Sequence, residues 1–449
     1  MKMTVIGCGH LGATHAACMA AIGHEVLGVD IDQDKIDLLN LGKGWFHEPG
    51  LADLLAENVA AGRLRFTTSF AEAGEFANVH FIGVATPGGA DGSYDLSQVH
   101  AAVSALIPQL HGESLLIGKS TVPPGTAAAL QEMADAQSAS TGGSLEVVWN
   151  PEFLREGCAV EDTLRPDRIV VGVSTDSAAE IVQEIYRPLT DSGIPLLVTD
   201  LSTAELVKGA ANAFLAMKIS FINAMADVCA ATSSDISALA QALGMDPRIG
   251  QAFLRAGIGY GGACLPKDVR GLRAFAGGVG ARSAATLLTA VDEVNAGRVG
   301  QVVDLVRAAA GGIAGKRVAV WGASFKAGTD DVRDSVGLGV ADQLHSLGAE
   351  VTVYDPMGCG NALIAYPELA YADSALAAVR DADVLLVVTA WPEFAQVTPV
   401  EAVEVAAAKA VVDACQGIDL DLWQDAGWQV SSLTDARSRR QLDDPALAI

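Results

Sequence analysis

One cysteine closes a glycine-rich run, Gly257-Ile258-Gly259-Tyr260-Gly261-Gly262-Ala263-Cys264, with Lys267 and Asp268 just behind it. Glycines let backbone come close to a bulky ligand, and a thiolate beside a cation is an activated nucleophile. An isolated cysteine is more often a small core residue, and the other six, at 8, 18, 158, 229, 359 and 415, are read that way. A second signature opens the chain. Gly7-Cys8-Gly9-His10-Leu11-Gly12 matches G-x-G-x-x-G after a short apolar strand, and the next strand ends at Asp30. There Gly7 permits the tight turn, Gly9 lets a pyrophosphate approach and Gly12 lets the helix pack close on the strand. The helix N-terminus favours the phosphate charge. Asp30 accepts ribose hydroxyls and repels a 2′-phosphate, which favours NAD over NADP. A nicotinamide site together with a nucleophilic cysteine points to oxidation through a covalent thioester, whereas a simple alcohol dehydrogenase needs no such cysteine.

Other polar residues are spaced for the same chemistry. Ala85-Thr86-Pro87 and Lys119-Ser120-Thr121-Val122-Pro123-Pro124-Gly125-Thr126 follow predicted strands, and ligands bind at the carboxyl ends of such strands. Thr86 and Thr121 are therefore candidates to line the nicotinamide, although the same loops also read as ordinary capped turns. Asn150-Pro151-Glu152-Phe153-Leu154-Arg155-Glu156-Gly157 places two carboxylates four apart after a strand. Lys208 and Asn212 are four apart on one face of a predicted helix, and Cys264 and Asp268 share that spacing. Ser324-Phe325-Lys326 and Thr329-Asp330-Asp331-Val332-Arg333 complete the set.

These residues need a scaffold, and its rhythm is visible. Short apolar strands at Met3–Ile6, Glu25–Val29, Val79–Val84, Ser114–Gly118, Val147–Trp149 and Ile169–Val173 alternate with helical stretches, which predicts a parallel, doubly wound sheet. Ser202 and Glu205 have capping-box spacing. A helix from 203 to 231 would be on the order of 40 Å long, enough to join two domains, and a helical pattern resumes to Leu243 after a polar break at 232–235. A second α/β rhythm, with strands at Arg317–Trp321, Glu350–Tyr354, Val384–Val388 and Ala410–Val412, follows Lys316. Its first turn, Gly322-Ala323-Ser324, lacks the glycine fingerprint, so no second dinucleotide is expected. The expected fold is α/β, with two Rossmann-like doubly wound domains joined by a long central helix. Its parts are 1–200, 201–300 with the cysteine loop, 301–434, and a loosely ordered tail at 435–449.

The 449 residues suit two or three domains. A net charge of -25 argues against nucleic acid and anionic membranes as partners, and no uninterrupted apolar run reaches about 18 residues. The apolar first thirty residues fit a βαβ unit better than a secretory signal. Seven cysteines without a CxxC pair give no metal site and fit a reduced, cytoplasmic protein.

The motifs GCGHLG, KSTVPPGT, NPEFLREG, AELVKGAANAFLAMKISFINA, DPRIG, GIGYGGACLPKD and FKAGTDDVRDS, in this order, resemble those of the UDP-glucose/GDP-mannose dehydrogenase family over nearly the whole chain. The run from GATH to the central helix leans towards its UDP-glucose branch. The resemblance implies a four-electron oxidation of UDP-glucose at C6 to a carboxylate, using two NAD. Cys264 would attack the aldehyde to form a thiohemiacetal, which a second hydride transfer turns into a thioester for hydrolysis. Lys208 would stabilise the oxyanion, Asn212 orient it or a water, and Asp268 position Lys208 and water or act as base. Glu156 would exchange the water's proton, with Glu152 a supporting or substrate contact and Thr121 a further catalytic residue.

By the same resemblance His10, Leu11, Lys35, Thr86, Thr121, Glu156, Lys267 and Arg333 join the glycines and Asp30 around the cofactor. Glu152, Phe153, Leu154, Lys208, Asn212, Tyr260, Gly261 and Lys326 would meet the substrate, in the third domain for its UDP part. Lys267, Lys326 and Arg333 would offer the diphosphate a local cationic cluster despite the acidic chain. Arg248 would reach a neighbouring subunit's substrate, implying a homodimer; its plainer reading is a surface ion pair. The chain departs from the family at His10, usually Tyr, at Ala85, commonly Pro, and at Asp413-Ala414-Cys415-Gln416, often Asp-Gly-Arg-Asn. A GDP-mannose or UDP-N-acetylhexosamine 6-dehydrogenase would share the chemistry. A silent NAD- and nucleotide-sugar-binding protein, or a β-hydroxyacid-type dehydrogenase, would not use Cys264.

Overall fold

The computed structural model describes residues 1–138 and 143–434; the expected tail at 435–449 lies outside them. The chain divides into two compact units at Ala211/Asn212. In the first, eight strands form one sheet: β1 (Lys2–Ile6), β2 (Glu25–Val29), β3 (Leu64–Thr67), β4 (Val79–Ile82), β5 (Glu113–Gly118), β6 (Ser144–Trp149), β7 (Ile169–Gly172) and β8 (Leu196–Thr199). Their order is β3-β2-β1-β4-β5-β6-β7-β8. The central strands are apolar on both faces because helices cover both, and two clusters of buried aliphatic and aromatic residues flank the sheet. The order reverses between β1 and β4, which opens the crevice where such sheets bind ligands.

One pairing departs from the expected all-parallel sheet. β6 and β7 run antiparallel, meeting at Trp149 and Gly172. The chain between them is the irregular stretch 150–158 and a one-and-a-half-turn helix, Ala159–Leu164, instead of the crossover helix that a parallel pair needs.

In the second unit six strands, β9 (Arg317–Trp321), β10 (Glu350–Tyr354), β11 (Ala370–Tyr371), β12 (Val384–Val387), β13 (Ala410–Asp413) and β14 (Gln429–Ser432), form a sheet of order β11-β10-β9-β12-β13-β14. All its pairings are parallel. Its first turn is closed by Asp355 at the end of β10. That carboxylate accepts the Ala323 and Ser324 N–H groups at 2.8 and 2.9 Å and the Trp391 indole N–H at 2.9 Å.

A helix of 32 residues, Leu201–Thr232, continues from one unit into the other, and a shorter one, Ile236–Gly244, follows the expected break. The capping box does not form. Asp200 takes the Thr203 N–H at 2.9 Å, two residues before the expected cap. Glu205 is buried and instead accepts the Gly125 and Ala127 N–H groups at 2.7 and 2.5 Å. A loop in need of acceptors outcompetes a local cap that Asp200 already supplies. Among the described residues this helix is also long and apolar enough to cross a membrane, with mean hydropathy 1.5 over its most apolar window. Its buried polar residues Glu205, Lys208, Asn212, Ser220 and Asn223 each bond to other parts of the protein, as a core helix does.

Candidate active site

The turn after β1 has the shape of a phosphate cradle. Gly7 is left-handed at φ 90°. A Cβ on Gly12 would lie 1.7 Å from the Gly7 carbonyl oxygen, whereas one on Gly9 would meet nothing within 4 Å. Gly12 therefore lets the helix close on the turn, and open space stands over Gly9. The helix His10–Ala21 has Gly9 as its cap and no side-chain hydrogen bond there, which leaves its first N–H groups to a ligand. Asp30 accepts the Cys8 N–H at 2.7 Å and the Asp32 N–H at 3.0 Å, so its carboxylate is held at the lip of the turn. These features fit a dinucleotide. His10 and Leu11 open the helix. Lys35 pairs with Asp32 at 3.4 Å and lies 5.0 Å from the centre of the Trp45 ring.

The loops after β4 and β5 meet. Thr86 Oγ1 donates to the Thr121 carbonyl at 2.8 Å, and both side chains are buried. Below them lies Lys119, whose ammonium donates to Asn150 Oδ1 at 2.9 Å, an oxygen that also accepts the Tyr186 hydroxyl at 2.5 Å. Burial pushes this lysine down to about 8, Lys208 pushes the same way and Glu152 pulls it back up.

Glu152 stands in the irregular stretch 150–158, where its carboxylate accepts the Leu154 N–H and pairs with the buried Lys208 at 3.0 Å. A charge buried this deeply needs such a partner. Phe153 beside it carries the Arg168 guanidinium 4.0 Å above its ring centre. Glu156 is half-buried in the same stretch. The two carboxylates belong to a loop and not to a helix face, because the helix begins only at Ala159.

In the second unit Cys264 caps the N-terminus of the helix Leu265–Gly278. A helix start favours a thiolate. One turn on, the fully buried Asp268 takes the Lys267 ammonium at 2.6 Å and the Asn212 amide at 2.6 Å. The glycine run in front is shaped by its neighbours. A Cβ on Gly261 would lie 2.3 Å from the Asp334 carbonyl oxygen, and one on Gly262 would lie 2.8 Å from the Phe325 ring. The glycine run and the 324–335 segment are thus packed together. Tyr260 is buried, and Asn295 binds both its backbone groups, accepting its N–H at 2.8 Å and donating to its carbonyl at 2.9 Å. Asn223 and Arg298 hold Gly257 likewise, at 2.8 and 3.0 Å.

The expected cations have local partners. Arg333 pairs with Asp331 at 2.5 Å, and Lys326 lies 5.5 Å from the centre of the Phe325 ring. Arg248 is highly exposed and pairs with Asp246 at 2.6 Å. The unusual Asp413–Gln416 segment has a structural use. Asp413 gathers the N–H groups of Cys415, Gly417 and Ile418. Gln416, left-handed at φ 55°, donates its amide to the Ala256 carbonyl at 2.9 Å, just ahead of the glycine run. Among the described residues no cluster of three or more His, Cys, Asp or Glu is placed to hold a metal.

Trp45, Phe46, Glu48, Lys119, Asn223, Asn295 and Arg298 are not among the residues expected from the sequence. Trp45-Phe46-His47-Glu48-Pro49-Gly50 offered a signal, aromatics and an acid within a loop between two helices.

Comparison with known proteins gives one family. Its NAD binding domain matches residues 1–190, its central domain 202–297 and its UDP binding domain 319–419, each described as belonging to the UDP-glucose/GDP-mannose dehydrogenase family. The UDP-glucose 6-dehydrogenase of Rhizobium meliloti is 44% identical over 398 residues, 88% of this chain and 90% of its own. The UDP-glucose 6-dehydrogenase TuaD of Bacillus subtilis is 38% identical over 434 residues, covering 96% and 93% of the two chains. The solved UDP-glucose dehydrogenase of Pyrobaculum islandicum superposes with a TM-score of 0.88 at 35% identity, covering 96% of this chain and 97% of that one.

Proposed function

The chain belongs to the UDP-glucose/GDP-mannose dehydrogenase family and is an NAD-binding oxidoreductase, and we propose that it oxidises UDP-glucose at C6 to UDP-glucuronate, in the cytoplasm. The observation that carries this reading is Cys264 at a helix start, one turn from the Lys267–Asp268–Asn212 cluster, in a chain that also has the dinucleotide turn. NAD, when bound, accepts hydride. Cys264 adds to the C6 aldehyde, which retains the intermediate and restores a hydride to remove. The thioester that results is cleaved by water. Lys208 supplies positive charge to the C6 oxyanion, with Glu152 holding its ammonium. Asn212 and Asp268 orient the oxyanion or water, Glu156 exchanges the water's proton, and Thr121 and Thr86 border the nicotinamide.

The 201–300 stretch is read as a central domain and the residues from 301 as the UDP-binding one. A homodimer fits the apolar seam Phe214, Phe221 and Val228, spaced by seven along the long helix and each about half exposed. Arg248 would reach across it.

The test is NADH formed per sugar consumed, with UDP-glucose, GDP-mannose and UDP-N-acetylglucosamine supplied separately. Two NADH per UDP-glucose are expected, and Cys264→Ala should end uronate formation while NAD still binds. One NADH per sugar, or full turnover by Cys264→Ala, would overturn the mechanism. Turnover with another sugar alone would move the substrate.

A further inference from the structure

The stretch 150–158 that bears Glu152 and Glu156 is irregular, so no ladder of its own fixes those carboxylates. Its far end is held by a residue more than a hundred positions earlier. The buried Glu48 accepts the Gly157 N–H at 2.8 Å through Oε2 and the Ala159 N–H at 2.7 Å through Oε1. Gly157 is left-handed at φ 78°, and Ala159 opens the next helix, so one carboxylate spans the point where loop becomes helix. Charge-assisted bonds to backbone N–H groups are among the stronger hydrogen bonds.

Three residues before Glu48 the same strand of chain touches the dinucleotide turn. The Trp45 indole N–H donates to the Cys8 carbonyl at 3.2 Å. The His10 ring packs on Trp45 and Phe46, with centroids 4.7 and 4.2 Å apart. Cys8 and His10 are two of the three variable positions of the glycine fingerprint, so they flank the place a pyrophosphate would take.

We propose that Trp45–Glu48 is a tie through which occupancy of the dinucleotide turn orders the loop carrying Glu152 and Glu156, with Glu48 as a positioning residue for both. The proposal rests on the reading that NAD binds at this turn and that these carboxylates serve the oxidation. A ligand that settles against Cys8 and His10 fixes the near end of the tie. Glu48, a few bonds away, fixes the far end of the loop. Glu48 itself touches no reacting atom. Coupling of this kind is reciprocal.

Hydrogen–deuterium exchange on the full chain, with and without NAD and without sugar, tests it. In the unaltered protein NAD should slow exchange across 153–160 by about fivefold or more. Glu48→Gln should bind NAD about fivefold more weakly by calorimetry, the reciprocal of the lost coupling, and lose that slowing. Trp45→Phe keeps the Glu48 bonds and should leave exchange at 157–159 unchanged without NAD, while also losing the NAD effect. In turnover, kcat of Glu48→Gln should fall about tenfold while KM for NAD rises by about fivefold. NAD-induced slowing that is absent from the unaltered protein, or equal in all three proteins, overturns the tie. Should Glu48→Gln fail to fold, Trp45→Phe decides alone. The exchange readout needs no turnover, so the tie and the proposed oxidation can fail separately.

Discussion

Lys119 shows how a single residue can carry a cost that its environment reveals. Its ammonium is buried, bonded to a neutral amide oxygen and held down to about 8. In the unfolded chain a lysine titrates near ~10.4. Between those values the folded protein binds fewer protons than the unfolded one, so stability from this group rises with pH across that window and is lost as pH falls through about 8. Lys119→Met should therefore raise the unfolding free energy at neutral pH by about 1–3 kcal/mol, and the gain should shrink towards about pH 9.5. Denaturant titration at the two pH values measures it. A loss of stability at neutral pH would mean that attraction to Glu152 outweighs the burial. In the sequence Lys119 is visible only as part of a loop, because burial of a lysine depends on which helices cover the strand end. Glu48 was hidden for a similar reason, since its partners at 157 and 159 are remote in sequence. Gly7, Gly12 and Asp30 were legible because their roles follow from local backbone geometry.

Among the elements, the two asparagines and one arginine that grip the glycine run from neighbouring helices define the platform of the proposed nucleophile. Asn295→Ala removes both bonds to the Tyr260 backbone and strands a buried N–H and carbonyl. It should cost about 1–3 kcal/mol of stability and lower the rate of Cys264 alkylation or of turnover, with NAD affinity unchanged by calorimetry. Turnover and affinity falling together would place the damage elsewhere. The central strands could be read directly, since β1, β2, β5, β9 and β12 are nearly unbroken apolar runs buried on both faces. The edge strands β3, β8, β11 and β14 carry no clear strand pattern in the sequence. They are short or partly polar, as Leu64-Arg65-Phe66-Thr67 and Gln429-Val430-Ser431-Ser432 show, and half-exposed edges carry a weak pattern. The antiparallel step at β7 was also unreadable, because strand direction depends on the connection's path and not on strand composition.

At the scale of the whole molecule the apolar seam of the long helix makes the assembly testable. Phe221→Asp places a charge in the middle of that seam. Sedimentation at micromolar concentration should show a dimer for the unaltered protein and a monomer for the variant. A dimer that survives the substitution would put the interface on another face. The same helix also carries Glu205, Lys208 and Asn212, each committed to a different partner. Each residue of an α-helix turns about 100° from the last. Inserting or deleting a single residue between Lys208 and Asn212 would rotate one out of phase with the other, although no side chain had changed. This segment can therefore drift in composition but not in length, and natural length variation should gather in the surface loops instead.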